Sequence, residues 1–199
     1  KNGKKKEVSS KDYYNHSLRL LQNSVYPTQH RNYFMLTIPS RTKDKKTVPV
    51  DYMLKNIVLL LWENKLVTEG WDQGEPESPG SIDVKNVSSD GIDAREVLTE
   101  IFGKENVVVH RAYIFPTPVT DPSIWGKSIA LREKRFARFP NKINIHTNNW
   151  STNIMFGHDN LEKIHEDLGI EMPLIEDSLP GFDECVYKGI SPSNFLQFL

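Results

Sequence analysis

The longest uninterrupted apolar run in this chain, Ile57-Val58-Leu59-Leu60-Leu61-Trp62, covers only six residues. A bilayer-spanning helix needs roughly 18 or more, so the run predicts an element buried in a protein core and no membrane partner. Around it lie short segments of changing period, some apolar at every third or fourth position and some at every second. Proline, glycine and asparagine separate them. A chain written this way buries its apolar surface by packing short helices on short strands.

The segments can be followed in order. Tyr14, Leu18, Leu21 and Val25 have helical spacing and predict an amphipathic helix ending before Pro27. Tyr33 to Ile38 is aromatic and β-rich and predicts a strand stopped by Pro39. A second helix is expected from Pro49, with Val50, Met53, Ile57 and Leu61 on its apolar face. A loop over residues 70–80 and a strand from Ser81 to Val87 follow. Asp93 is placed to cap a helix that passes Val97, Ile101 and Phe102 and stops at Gly103.

Val107 to Phe115 predicts the strongest strand, and Asp121-Pro122 opens a helix expected to reach Phe139. Ile143–Thr147 and Thr152–Phe156 read as a hairpin over Asn148-Asn149-Trp150. Asp159 and Glu162 have capping-box spacing ahead of a short helix ending at Gly169. The hairpin and uneven connections predict an α+β fold, a mixed or antiparallel sheet of about five strands packed by four or five helices. The expected organisation is a flexible basic arm at 1–10, one domain at 11–170, and an acidic extension at 171–199 packed on that domain.

Charge is distributed less evenly than the net value of −1 suggests. Residues 1–50 carry 11 Lys/Arg against 3 Asp/Glu, and residues 51–100 carry 4 against 11. Residues 101–150 carry 8 against 3, and residues 151–199 carry 2 against 9. Alternation by blocks predicts basic and acidic faces on the folded surface, unless the blocks pair internally. Cys185 is the only cysteine, which excludes an internal disulfide framework and suits an intracellular setting.

Gly126-Lys127-Ser128 resembles the end of a phosphate-binding loop, but that loop needs a glycine where this chain has Asp121. Pro122 beside it has no N–H to offer an anion. The triplet is therefore expected inside a helix, with no nucleoside triphosphate and no cofactor bound. The rest of the segment is densely cationic: Lys127, Arg132, Lys134, Arg135, Arg138 and Lys142 against Glu133. Arg135, Arg138 and Lys142 follow helical spacing, and Trp125, Ile129, Phe136 and Phe139 are expected on the side that docks. Lys127, Arg132, Arg135, Arg138 and Lys142 are the candidate nucleic-acid contacts, supported by the arm and by a basic loop at Arg41, Lys43, Lys45 and Lys46.

His158, Glu162 and His165 share a helical face at a spacing that stretches any metal bite over two turns, so no metal site is assigned. His146 has no nucleophile at meaningful spacing, and Cys185 follows Asp183-Glu184, which disfavours its thiolate. No catalytic residue is assigned.

The stretch "LLLWENKLVTEGWDQG", from Leu59 to Gly74, resembles uncharacterised proteins of large DNA viruses that infect amoebae. It shares a helix ending in Leu-Trp followed by a short Thr-containing turn. The resemblance implies an orphan viral protein acting in host cytoplasm, viral factory or virion, and carries no functional residue over. Three readings follow. The leading one is a non-catalytic interaction or assembly protein that binds a protein partner or itself through oppositely charged patches. The second is a nucleic-acid-associated protein using the helix at 127–142 and the arm. The third is an enzyme with a dispersed site, drawn from residues such as His110, Arg111, His146 and Asn148.

Overall fold

A computed structural model describes residues 31–39, 47–115 and 123–180. The arm at 1–10, the helix through Tyr14 and Val25, the Arg41–Lys46 loop, Asp121-Pro122, Cys185 and the extension beyond residue 180 lie outside the described residues. Two compact units divide the chain: Lys1–Tyr52 with Leu174–Leu199, and Met53–Pro173.

In the first unit, β1 (Tyr33–Thr37) pairs antiparallel with β2 (Thr47–Asp51), Tyr33 opposite Asp51 and Thr37 opposite Thr47. Leu179 adds a bridge to Tyr33 through backbone hydrogen bonds of 2.8 and 3.0 Å. β2 stands where the second helix was expected to begin. Val48 and Val50 alternate as buried residues around Pro49, and in a two-stranded ribbon both strands are edges that tolerate a missing ladder donor.

The second unit holds α1 (Lys55–Glu63), β3 (Thr68–Asp72), β4 (Gly80–Val84), α2 (Ala94–Phe102), β5 (Val107–Val109), α3 (Ser123–Phe136), β6 (Ile143–Thr147), β7 (Thr152–Phe156) and α4 (Leu161–Leu168). Its sheet runs β3-β4-β7-β6-β5, antiparallel throughout except for the parallel β5–β6 pair. The fold is α+β, with a five-stranded mixed sheet, a two-stranded sheet and four α-helices among the described residues.

β3 occupies part of the expected loop. Its single large apolar residue is Trp71, and a bulge between Thr68 and Gly70 breaks the alternation that would have marked a strand. The turn into β4 closes tightly: a Cβ on Gly74, at φ 76°, would lie 2.5 Å from the Gly80 nitrogen and the Ser78 oxygen. β5 is shorter than expected. It is an edge with one parallel partner, and beyond Val109 only single backbone bonds continue, His110 N–H to the Ile145 carbonyl and Tyr113 N–H to the Thr147 carbonyl, both 2.9 Å.

The helix boundaries follow their capping residues in two cases. Asp93 accepts from the Arg95 backbone N–H at 2.8 Å, and α2 ends at Gly103. α4 ends at Gly169 in the left-handed region, φ 64°. The Asp159–Glu162 capping box does not form: a 3₁₀ turn over His158–Asn160 leads into α4, and Asn160 makes no side-chain cap.

The sheet's two faces differ chemically. Ile82, Ile154 and Ile145 are direct cross-strand partners on β4, β7 and β6 and are fully buried. Phe102 of α2 and Ile164 and Leu168 of α4 gather with Ile143 and Phe156 on this face. The helices here are held by ordinary apolar burial, worth roughly 1.5–3 kcal/mol per large side chain.

Candidate functional site

Because strand side chains alternate, the reverse face carries the neighbouring residues. Asp83 on β4 is paired with Asn153 on β7, and Asn153 with His146 on β6. His110 follows Val109, the partner of Ile145, and so continues the same row. A line of polar groups thus crosses the sheet directly behind a line of isoleucines. Asn153 Nδ2 donates to Asp83 Oδ1 at 3.0 Å. The His110 and His146 rings stack with centroids 4.5 Å apart and planes 6° from parallel.

His110 Nε2 lies 2.8 Å from Asn144 Oδ1. Asn144 Nδ2 donates to the Phe139 and Lys142 carbonyls at 2.9 and 3.0 Å, so its oxygen faces the imidazole and Nε2 carries the proton. His146 is only 4% exposed, and neither of its ring nitrogens has a hydrogen-bond partner. Asn153 Oδ1 and Arg132 Nε, also buried, are unpartnered too. Most buried polar groups are paired, and four unpaired atoms in one layer mark it as exceptional.

α3 covers this row. Its inward positions are Ser128, Arg132 and Arg135, spaced i, i+4, i+7. Ser128 is buried, Arg132 Nη1 approaches Asp83 Oδ1 at 3.9 Å, and Arg135 Nη1 donates to the Arg111 carbonyl at 3.0 Å. Of the expected apolar docking side, Ile129 and Phe139 are 47% and 43% exposed, Phe136 is half-buried, and the Trp125 side chain lies outside the described residues. A helix seated on carboxylate, amide and imidazole groups takes serine and arginine inward, because leaving those groups against hydrocarbon would forfeit their hydrogen bonds.

The five candidate cations therefore separate. Arg132 and Arg135 face the sheet, while Lys127 is exposed on the outer side. α3 ends at Phe136, so Arg138 and Lys142 lie on the turns after it. Lys142 reaches the Glu105 carbonyl near the start of β5. Gly126-Lys127-Ser128 sits within the first two turns of α3, with Gly126 and Lys127 exposed and Ser128 buried.

The local field is positive at the histidines. Burial, then the Asn144 hydrogen bond in opposition, then Arg135 and Arg138 leave His110 below its usual value. Burial drives His146 down to about 3, helped by His110, Arg135 and Arg132. Asp83 is raised by burial, against the pull of Asn153 and Arg132.

His158, Glu162 and His165 do not converge. His158 Nδ1 is 3.0 Å from the Gln73 carbonyl, whereas His165 is buried with Nδ1 2.7 Å from the Leu161 carbonyl. Among the described residues no three His, Cys, Asp or Glu side chains are grouped to hold a metal. Of the dispersed residues named above, His110 and His146 come together. Asn148 instead caps the hairpin, accepting from the Trp150 and Ser151 backbone at 2.9 and 3.0 Å.

Asp83, Asn144 and Asn153 were not singled out from the sequence. The available signal was the alternation of polar and apolar residues in "INIHT" and "TNIM", which marks two strands without saying what covers their polar positions. Among the described residues no helix is long and apolar enough to cross a membrane. Compared with protein-family models, curated proteins and solved structures, the chain has no match.

Proposed function

We propose that the protein is a non-catalytic interaction or assembly factor that docks oppositely charged surfaces. The observation that supports it most is that, among the described residues, the basic segment 123–142 is barely paired with acidic ones. Among the described residues, Arg132–Asp83 is the one ion pair linking the basic residues 123–142 to an acidic segment. Lys127, Lys134 and Arg138 are exposed on the α3 side of the sheet. Glu96 and Glu100 on α2, with Glu162 and Glu166 on α4, are exposed on the other. The nearby cations Arg95 and Lys163 are taken up by Asp93 and Asp167.

Such a polarised unit has complementary surfaces for a second copy or a charged protein partner. The resemblance of residues 59–74 to proteins of amoeba-infecting viruses extends the proposal to assembly inside an infected cell. Sedimentation over a salt series tests it. Association at low ionic strength should dissolve as the screening length shrinks from about 10 Å at 0.1 M to about 3 Å at 1 M. Lys127→Glu with Lys134→Glu should abolish it. A wild-type monomer at low salt, with no partner recovered from cell extract, would reject the reading.

Exposed Phe139 beside Arg138 favours a second reading, contact with nucleic-acid phosphates and bases. Retardation of DNA or RNA at about 50 mM salt, with a log–log salt slope of about −0.9 per phosphate contact on duplex DNA, is its signature. Absence of any retardation there removes it.

A further inference from the structure

On the apolar face of the sheet, a cleft of about 230 Å³ opens between the end of α2, the length of α4 and the sheet ends at Ile143 and Phe156. Its floor is hydrocarbon, formed by Phe102, Ile143, Phe156, Ile164 and Leu168. Neither Phe102 nor Phe156 is in ring contact with another aromatic side chain, so both rings line the cleft unpaired. The Phe156 ring is packed on Gly80, where any Cβ would strike it, which fixes that wall before a ligand arrives. An apolar cavity of about 150 Å³ holds benzene. A space half as large again takes a body of about two fused rings, and unpaired aromatic walls receive such a body in offset or edge-on geometry.

The rim of the cleft is polar and its charges are unequal. Lys163 is taken up by Asp167 at 2.5 Å. Lys142 reaches only the Glu105 backbone carbonyl and has no acidic partner, so its charge is left over. The exposed Asn141 amide lies next to it in the chain and also lines the cleft. None of the exposed glutamates of α2 and α4 is a lining residue. We propose that this cleft binds a small amphipathic anion, an aromatic body of about two fused rings carrying one carboxylate. The rings rest on the floor between Phe102 and Phe156, and the carboxylate accepts from Lys142 and Asn141 at the rim. This site is independent of the charged surfaces proposed to dock a partner.

The test titrates the full chain with naphthalene-2-carboxylate while following isoleucine methyl signals by NMR. The Ile143 and Ile164 signals should shift and saturate, while those of Ile92 and Ile129, exposed outside the cleft, stay put. Naphthalene-2-methanol, the neutral counterpart, should bind about fivefold more weakly, because it gains nothing from the Lys142 charge. Lys142→Gln should weaken the carboxylate by a similar factor and leave the alcohol unchanged. Leu168→Trp, at the half-buried end of α4, should fill the cleft and exclude both. Wild-type Ile143 and Ile164 signals that millimolar carboxylate leaves unmoved overturn the inference without recourse to any variant. So does alcohol binding as tight as the carboxylate, or a shift of Ile92 and Ile129 in step with the cleft.

Discussion

The two faces of the five-stranded sheet differ by one residue of register and by nearly everything else. Behind Ile82, Ile154 and Ile145 lies a face closed by apolar helices. Behind Asp83, Asn153 and His146 lies a face closed by Ser128, Arg132 and Arg135. The first is stabilised mainly by removing hydrocarbon from water, although the buried His165 Nε2 of α4 has no hydrogen-bond partner. The second is buried at His146 and Asn153 and partly exposed at Asp83 and Arg132, and it retains donors and acceptors without mates. Burial alone therefore does not identify a structural core. The chemistry of what is buried separates a layer of hydrocarbon from one of amide, imidazole and guanidinium groups.

The contrast is sharpest under acid. His146 has its folded value depressed to about 3, so the unfolded chain binds its proton first. Its contribution to stability is therefore lost as pH falls from the unfolded value near 6.5 toward 3. The shift corresponds to about 4–5 kcal/mol. Asp83, raised by burial, acts with the opposite sign and favours the fold at low pH relative to neutral. Urea unfolding across pH 7 to 4 should show a steep loss in the wild type. His146→Leu should flatten it and, by removing two unpaired polar atoms, leave neutral stability equal or about 1 kcal/mol higher. A steep loss that survives His146→Leu would assign the acid sensitivity elsewhere, with buried His165, also depressed by burial, next in line.

On the apolar face the same kind of truncation should behave differently. Ile154→Ala removes a fully buried side chain from the centre of the sheet and should destabilise by about 2–5 kcal/mol at every pH in that range. Chemical denaturation at pH 7 and pH 5 checks both magnitude and flatness. A loss that varies with pH would mean the two faces are coupled through the sheet.

The smallest effect concerns Gly126. A Cβ there meets nothing within 4 Å, and the residue lies in a regular helix, so Gly126→Ala should stabilise by about 0.5–1 kcal/mol. A calorimetric titration with ATP and magnesium should be flat before and after. Loss of a nucleotide signal in the variant would instead return a phosphate-loop role to the Gly-Lys-Ser triplet.

Much of the architecture was legible in local sequence. The α2 cap at Asp93, the β6–β7 hairpin and the stop at Gly169 each rest on interactions within a few residues, and each stands where its sequence signal lies. What local sequence hid depends on distant partners. β2 is a strand because β1 offers its edge, although Pro49 begins a helix-like pattern. β3 is a strand because β4 lies alongside, across a bulge that erases its period. The inward turn of Arg132 and Arg135 required knowing that the surface beneath α3 is polar.

Residue types and their spacing determined by themselves the α+β class, the blockwise charge, and the place of Gly126-Lys127-Ser128 inside a helix, since these need only neighbours along the chain. Tertiary structure alone decided which polar residues meet. His110 and His146 are separated by 36 positions in sequence and stack because β5 and β6 run parallel, and Asp83 and Asn153 are joined because β4 and β7 are paired. Alternation along a strand says that two faces differ, but what packs on a face decides whether its polar side chains meet water or each other.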